Sequence, residues 1–65
     1  MIRVKWREDS NWFCGTEKDG SPRWEKSRKF AMTFDDPEHF REVERNFFGS
    51  EKVWTAREIA FVRVK

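Results

Sequence analysis

The chain has 65 residues, of which 37% are hydrophobic and 40% charged, and its 14 Lys and Arg against 12 Asp and Glu give a formal net charge of +2. This length predicts a single domain, residues 1–65, and no apolar run approaches the roughly 20 residues that a membrane span needs. One Cys and one His cannot build a disulfide framework or a structural zinc site, so we expect no metal and no cofactor.

Aromatic residues make up 17% of the chain, with four Trp and seven Phe. A core in so short a chain rarely supplies more than about 3–5 kcal/mol of net stability, and large rings are one way to reach that figure. We therefore predict that most of the rings are core. A homodimer, which would add core without adding chain, remains open.

The first elements follow from alternation and turn residues. Residues 2–7 alternate apolar and basic side chains, which is the period-2 pattern of a half-buried strand. Residues 12–16 predict the return arm of a hairpin, and Asp19-Gly20 predicts a tight turn after it. The N-terminus differs from a signal peptide, which predicts a cytoplasmic location.

The middle of the chain is less regular. Residues 23–29 are polar around a lone Trp24 and indicate no particular element. Large apolar residues at 30, 32 and 34 predict a third strand over 30–34.

A helix over about 37–48 has the clearest signals. Asp36 is a good N-cap, Pro37 suits the first helical position, and Gly49 lies where a glycine would end the helix. The apolar face of this helix follows i, i+3, i+7 spacing through Phe40, Val43 and Phe47.

The last run, Val53 to Lys65, is rich in strand-forming residues with apolar side chains on both faces, which predicts a central strand or a bulge. The order of elements predicts an α+β domain. It would have a small antiparallel sheet of three or four strands, with the helix of about 37–48 packed on one face.

This layout resembles short phage and prophage accessory proteins, which are mostly uncharacterised. The residues that carry the resemblance are Ile2, Val4, Asp19-Gly20, Trp24, Ala31-Met32-Thr33-Phe34, Asp35-Asp36-Pro37 and Phe61-Val62-Arg63-Val64. The resemblance implies a viral protein in the host cytoplasm that binds and alters a host machine, anti-CRISPR and other anti-defence inhibitors among such proteins. It implies no particular site residues.

Candidate catalytic groups are few. Cys14 and His39 are the only pair that could act as a thiolate and its base, and a small buried Cys with a solvated His is the simpler interpretation. The acidic cluster Asp35, Asp36 and Glu38 is explained by helix capping rather than by a cation. We therefore expect a protein that is not an enzyme.

Charge is distributed unevenly along the chain. Residues 35–51 carry a net charge of −4 and the rest of the chain +6. The helix is therefore acidic, whereas the predicted strands are basic.

Interfaces between proteins are enriched in Trp, Phe, Met and Arg, all of which this chain has. Our leading hypothesis is a small protein that binds and inhibits a larger host protein or complex. The predicted partner-binding residues are Trp24, Arg23, Lys26, Arg28, Lys29 and Phe48.

The alternative hypothesis is a module for single-stranded nucleic acid, in which cations on a sheet face follow the phosphates while bases stack on Trp. Neighbouring terminal strands would let Arg57, Arg63 and Lys65 extend the face of Arg3, Lys5 and Arg7. The predicted nucleic-acid-binding residues are Arg3, Lys5, Arg7, Trp12, Arg63 and Lys65. A second alternative is a self-associating structural protein.

Overall fold

Over the residues that the structure describes, the fold is a four-stranded antiparallel sheet with one helix. The computed structural model describes residues 1–49 and 54–64. In chain order the elements are β1 (Ile2–Trp6), β2 (Trp12–Thr16), β3 (Pro22–Glu25), a 3-10 turn (Arg28–Phe30), α1 (Pro37–Phe48) and β4 (Ile59–Arg63). The strand order is β3-β2-β1-β4. The predicted α+β class is confirmed.

The helix packs on one face of the sheet, here called the inner face, and leaves the other, the outer face, uncovered. The ring of Phe40 in α1 lies 5.5 Å from Phe13 of β2 and 5.7 Å from Phe61 of β4. Alternation along β1 puts its apolar side chains inside and its basic ones outside, as predicted. The buried core consists of Ile2, Val4, Phe13, Phe34, Phe40 and Ile59.

The helix begins and ends where the sequence predicts. The Oδ1 of Asp36 accepts a hydrogen bond from the backbone N–H of His39 at 2.8 Å, and Pro37 occupies the first turn. Gly49, with φ +72°, donates its N–H to the carbonyl of Arg45 at 3.0 Å.

The buried face of α1 differs from the prediction. Phe47 is 62% exposed, whereas Phe40 and Glu44 are buried and Phe48 packs on the core. The last turn therefore meets the core through an i, i+4, i+8 row, the ridge that winds slowly around a helix. Phe48 lies 6.2 Å from Phe13 at this end, and Phe47 is left outside.

The predicted strand over 30–34 is wrong. Residues 28–30 form a 3-10 turn, and only Phe34 bridges to a strand, exchanging both backbone hydrogen bonds with Ile2 at 2.8 and 2.9 Å. The physical reason is that the segment divides its backbone hydrogen bonds between two strands, through Phe34 to β1 and through Met32 to β2, near a bulge between Phe13 and Gly15 in the β2–β3 ladder. Beside it, the Met32 N–H donates to the Phe13 carbonyl at 3.0 Å, so this segment occupies the gap between β1 and β2.

The third strand is instead β3, in which Trp24 lies opposite Phe13. The prediction of a central last strand is also wrong, because β4 is an edge strand that pairs with β1 alone. Its second apolar face lies on the outside, where Val62 is opposite Arg3 and can pack beside the aliphatic part of that side chain. Val53, the start of the predicted run, lies outside the described residues.

A buried carboxylate joins the helix to the segment before β4. Glu44 is 0% exposed, and its Oε2 accepts a hydrogen bond from the Trp54 N–H at 2.8 Å. Arg41 Nη1 donates to Glu44 Oε1 at 3.0 Å and also to the Trp54 carbonyl. Both backbone groups of Trp54 are thus held by one ion pair of α1, which fixes the position of the indole.

We expect Glu44→Ala to lower the free energy of unfolding by about 3 kcal/mol, because it leaves the Arg41 charge and the Trp54 N–H without their partner. Urea unfolding followed by Trp fluorescence measures this loss. Glu42→Ala removes an exposed carboxylate from the same helix and serves as the control. Equal losses in the two variants would contradict a special role for Glu44.

Candidate functional site

The outer face of the sheet combines cations with one indole. Arg3 and Lys5 point outward from β1, and Trp12 of β2 lies directly opposite Lys5. The Nζ of Lys5 is 5.7 Å from the centroid of the half-buried Trp12 ring, within the range of a cation–π contact. A basic group and a stacking surface therefore adjoin each other on the face that α1 leaves open.

Next to this pair is a depression of about 410 Å³ with basic walls. Its lining residues are Arg3, Arg28, Val62, Arg63 and Val64. The Arg3 Nε is buried and has no hydrogen-bond partner among the residues that the structure describes. Within those same residues, neither Arg3, Lys5 nor Arg28 forms a salt bridge. The positive charge of this region is therefore not neutralised by any carboxylate in residues 1–49 and 54–64.

Arg23, also predicted as a binding residue, differs in this respect. Its Nη2 lies 2.9 Å from Glu25 Oε1, two residues away on the same strand. The hydrogen bond and the charge of Glu25 raise the pKa of Arg23 further above its ordinary value. This end of the outer face is thus locally neutral, and the unneutralised charge lies toward β1 and the 3-10 turn.

The other predicted nucleic-acid residues have different positions. Arg7 is used structurally, since its Nε donates to the carbonyls of Ala56 and Ile59 at 2.7 and 3.0 Å. The register puts Arg63 opposite Ile2, so its side chain leaves β4 on the helix side, at the sheet edge. The prediction that Arg63 extends the outer face is therefore wrong, although Arg63 does line the depression. Lys65 lies outside the described residues.

The predicted partner-binding residues do not form one patch. Trp24 is half-buried on the inner face with its ring 5.4 Å from Phe13, whereas Arg23 is on the outer face. Phe48 is half-buried against the core rather than an exposed anchor. The exposed members are Arg23, Lys26, Arg28 and Lys29, and the last of these lies 5.1 Å from the ring of exposed Phe30.

Cys14 and His39, the pair that could act as a thiolate and its base but is not expected to, have separate partners. The Cys14 thiol donates to the Trp12 carbonyl at 3.2 Å, and burial together with the negative charge of Glu25 raises the pKa of this thiol. The Nδ1 of His39 accepts the Asp35 N–H at 3.1 Å, and its ring packs edge-on against Phe34. A thiol held protonated is the opposite of an activated nucleophile.

One of the acidic residues around the start of α1 is its N-cap. Asp36 caps the helix, and Asp35 Oδ2 lies 3.9 Å from His39 Nδ1. In residues 1–49 and 54–64, no three His, Cys, Asp or Glu side chains are grouped as a metal site requires. Over the same residues, no helix has the length and apolar character needed to traverse a bilayer.

Comparison with known proteins gives no relative for this fold or this face. No protein-family model, curated protein or solved structure matches the chain. The resemblance to phage accessory proteins therefore stays a prediction, and functional inference depends on the chain's own geometry.

We expect the folded protein to alkylate at Cys14 with a rate–pH midpoint above that of the urea-unfolded chain, because only the thiolate reacts and folding raises the thiol pKa. The rate with iodoacetamide, measured across pH, gives both midpoints. Glu25→Gln lowers the folded midpoint, and Glu17→Gln is the matched control. A folded midpoint at or below the unfolded one would contradict the assignment.

Proposed function

We propose that this chain is a non-enzymatic module that binds single-stranded nucleic acid on the outer face of its sheet. The proposal rests on one observation: Lys5 lies over the Trp12 ring, and Arg3 and Arg28 line the nearby depression, all three without a salt bridge to any described carboxylate. A strand of nucleic acid offers both complements, phosphates for the cations and bases for the ring.

Single strands suit this face better than a duplex. Bases of a single strand are unstacked and can lie on the solvent-facing part of an indole, which the paired bases of a duplex cannot do. The site has one such platform, Trp12, with cations on the adjacent strand and turn. A short contact of one or two bases with about three phosphates fits these dimensions.

Charge placement favours an oriented encounter despite the small net charge. The acidic segment 35–51, net −4, includes α1 on the inner face, and the remainder of the chain carries +6. A polyanion is therefore repelled by the helix side and attracted to the outer face, which raises the association rate. The same small total predicts modest affinity, in the range of about 10⁻⁴–10⁻⁶ M that is typical of non-specific binding.

Fluorescence anisotropy of a labelled 12-nucleotide single strand tests the proposal. With about three phosphates neutralised and a slope near 0.7 for each, we expect the log affinity to fall with log salt with a slope of about −2. Arg28→Ala should reduce that slope by about 0.7, and Trp12→Ala should weaken binding by about 1–3 kcal/mol at every salt concentration.

Arg45→Ala is the matched control, since it removes an exposed Arg from α1 rather than from the outer face. Equal effects of Arg45→Ala and Arg28→Ala would mean that net charge, and not this face, governs binding. Absence of binding at 20 mM salt would reject the proposal.

A second candidate function, binding of a protein partner, is favoured by an apolar cavity beneath Phe47. This cavity of about 160 Å³ is lined in part by Met32, Val43 and Phe47. Phe47 and Met32 are 62% and 38% exposed. Apolar space of about 150 Å³ holds a benzene-sized group, so the cavity fits one apolar side chain of a partner. The more specific hypothesis of a host inhibitor rests on the phage resemblance alone.

For this candidate we expect a nuclease-treated pulldown to retain one stoichiometric partner, which Phe47→Ala loses because an interface hot spot is worth at least about 2 kcal/mol. Phe30→Ala, a change at an equally accessible ring outside the cavity, should retain it. Retention of the partner by Phe47→Ala would contradict this candidate function. Sedimentation showing that a second copy of the chain fills the cavity would also contradict it.

A further inference from the structure

Three of the four tryptophans meet at one end of the inner face. Trp6 comes from β1, Trp24 from β3 and Trp54 from the segment before β4. Their ring centroids are 5.3, 5.5 and 6.5 Å apart, and the interplanar angles are 68°, 81° and 87°. Each ring is half-buried, so part of each indole faces solvent. The three planes are thus close to mutually perpendicular, like the walls at a corner.

The space that these rings border is an open cavity of about 270 Å³, which Asp9 and Pro22 also line. Asp9 lies in the turn between β1 and β2, where its Oδ1 accepts the Asn11 N–H at 3.0 Å. Its Oδ2 has no hydrogen-bond donor among the described residues. The lining contains one carboxylate and no Lys, Arg or His among those residues.

The chain's own cations lie over other rings. Within the described residues, Lys5 is placed over Trp12, Lys29 over Phe30 and Arg41 over Phe40 and Phe61. No such contact is made with the three clustered indoles. Among the described residues, the chain therefore supplies no cation to this cluster, and each indole keeps a solvent-facing part beside the Asp9 carboxylate.

We propose that Trp6, Trp24, Trp54 and Asp9 form an aromatic cage for a methylated ammonium group. Indole faces attract a cation through the ring quadrupole, and the methyl groups of the ligand gain apolar contact with the same rings. The Asp9 carboxylate complements the charge at the rim. A bare ammonium ion is more strongly hydrated than its methylated form and has fewer apolar atoms to bury, so methylation favours entry.

The cage is built before the ligand arrives. Glu44 and Arg41 hold both backbone groups of Trp54, and β1 and β3 are both paired within the sheet. Because rings that are already ordered lose little conformational freedom when a ligand binds, the entropy cost of binding is small and the affinity is higher. The site lies on the face opposite Trp12, so it is independent of the proposed nucleic-acid binding.

The full chain carrying Trp12→Phe tests the proposal, because its remaining tryptophans all belong to the cage and report through fluorescence. Choline is titrated against 3,3-dimethylbutan-1-ol, in which carbon replaces the charged nitrogen, at constant ionic strength. We expect choline to bind at least about fivefold more tightly, since a desolvated cation–π contact contributes beyond apolar burial. A smaller ratio, or no saturation by choline, overturns the proposal.

Asp9→Asn, which retains the Oδ1 acceptor of the turn, should reduce the preference for choline by at least about threefold, and Asp19→Asn in the other hairpin turn should not. An equal reduction in both variants also overturns the assignment. A peptide with trimethyllysine, compared with its unmodified form, then tests whether the methylated ammonium group comes from a protein side chain or from a small molecule. Tighter binding of the methylated peptide than of choline indicates a protein ligand, and the reverse order a small molecule.

Discussion

The buried Glu44 is the constraint on which the rest of the structure depends. A carboxylate that is 0% exposed is tolerable only where its oxygens are fully used, and here both are occupied by Arg41 and by the Trp54 N–H. The pair attaches the chain after the helix to the middle of α1. Trp54 then contacts Phe40 and Phe48 on one side and Trp24 on the other. The contact of Glu44 and Arg41 with the Trp54 backbone thus determines where Trp54 joins the aromatic core.

The two faces of the sheet have different physical roles. Rings fill the inner face, and their partly exposed end forms the tryptophan cage. The outer face bears side chains with long aliphatic stems and charged ends, which can cover apolar strand residues while keeping their charge in water. Residues 32–34 bond to β2 through Met32 and to β1 through Phe34, and the 3-10 turn before them puts Arg28 beside Arg3 at the depression.

Local signals predicted the helix and the first two strands, and tertiary contacts decided the rest. The cap and end residues of 37–48 act within a few positions of themselves, so the sequence alone reveals them. Segment 30–34 alternates like a strand, but its backbone bonds to Ile2 and Phe13, two distant residues that no local pattern indicates. The roles of Phe47 and Phe48 depend on the angle at which α1 crosses the sheet.

The inward position of Trp24 can be predicted only when its pairing with Phe13 is known. Candidate residues Arg3, Lys5 and Trp12 followed from alternation, whereas the cage, drawn from three separate segments, did not.

The register of β1 has a kinetic consequence. Ile2 lies opposite Arg63, so the first strand obtains one of its two neighbours from the last strand of the chain. The chain between β1 and β4 must close into a loop before most of the free energy of their pairing is gained. This requirement slows folding relative to that of a local hairpin. During synthesis from the N-terminus, β1 and β2 emerge first and present an unpaired edge until residues 59–63 leave the ribosome. The alternating Arg and Lys of β1 are then the groups that oppose edge-to-edge association between nascent chains, before they have any role in the finished fold.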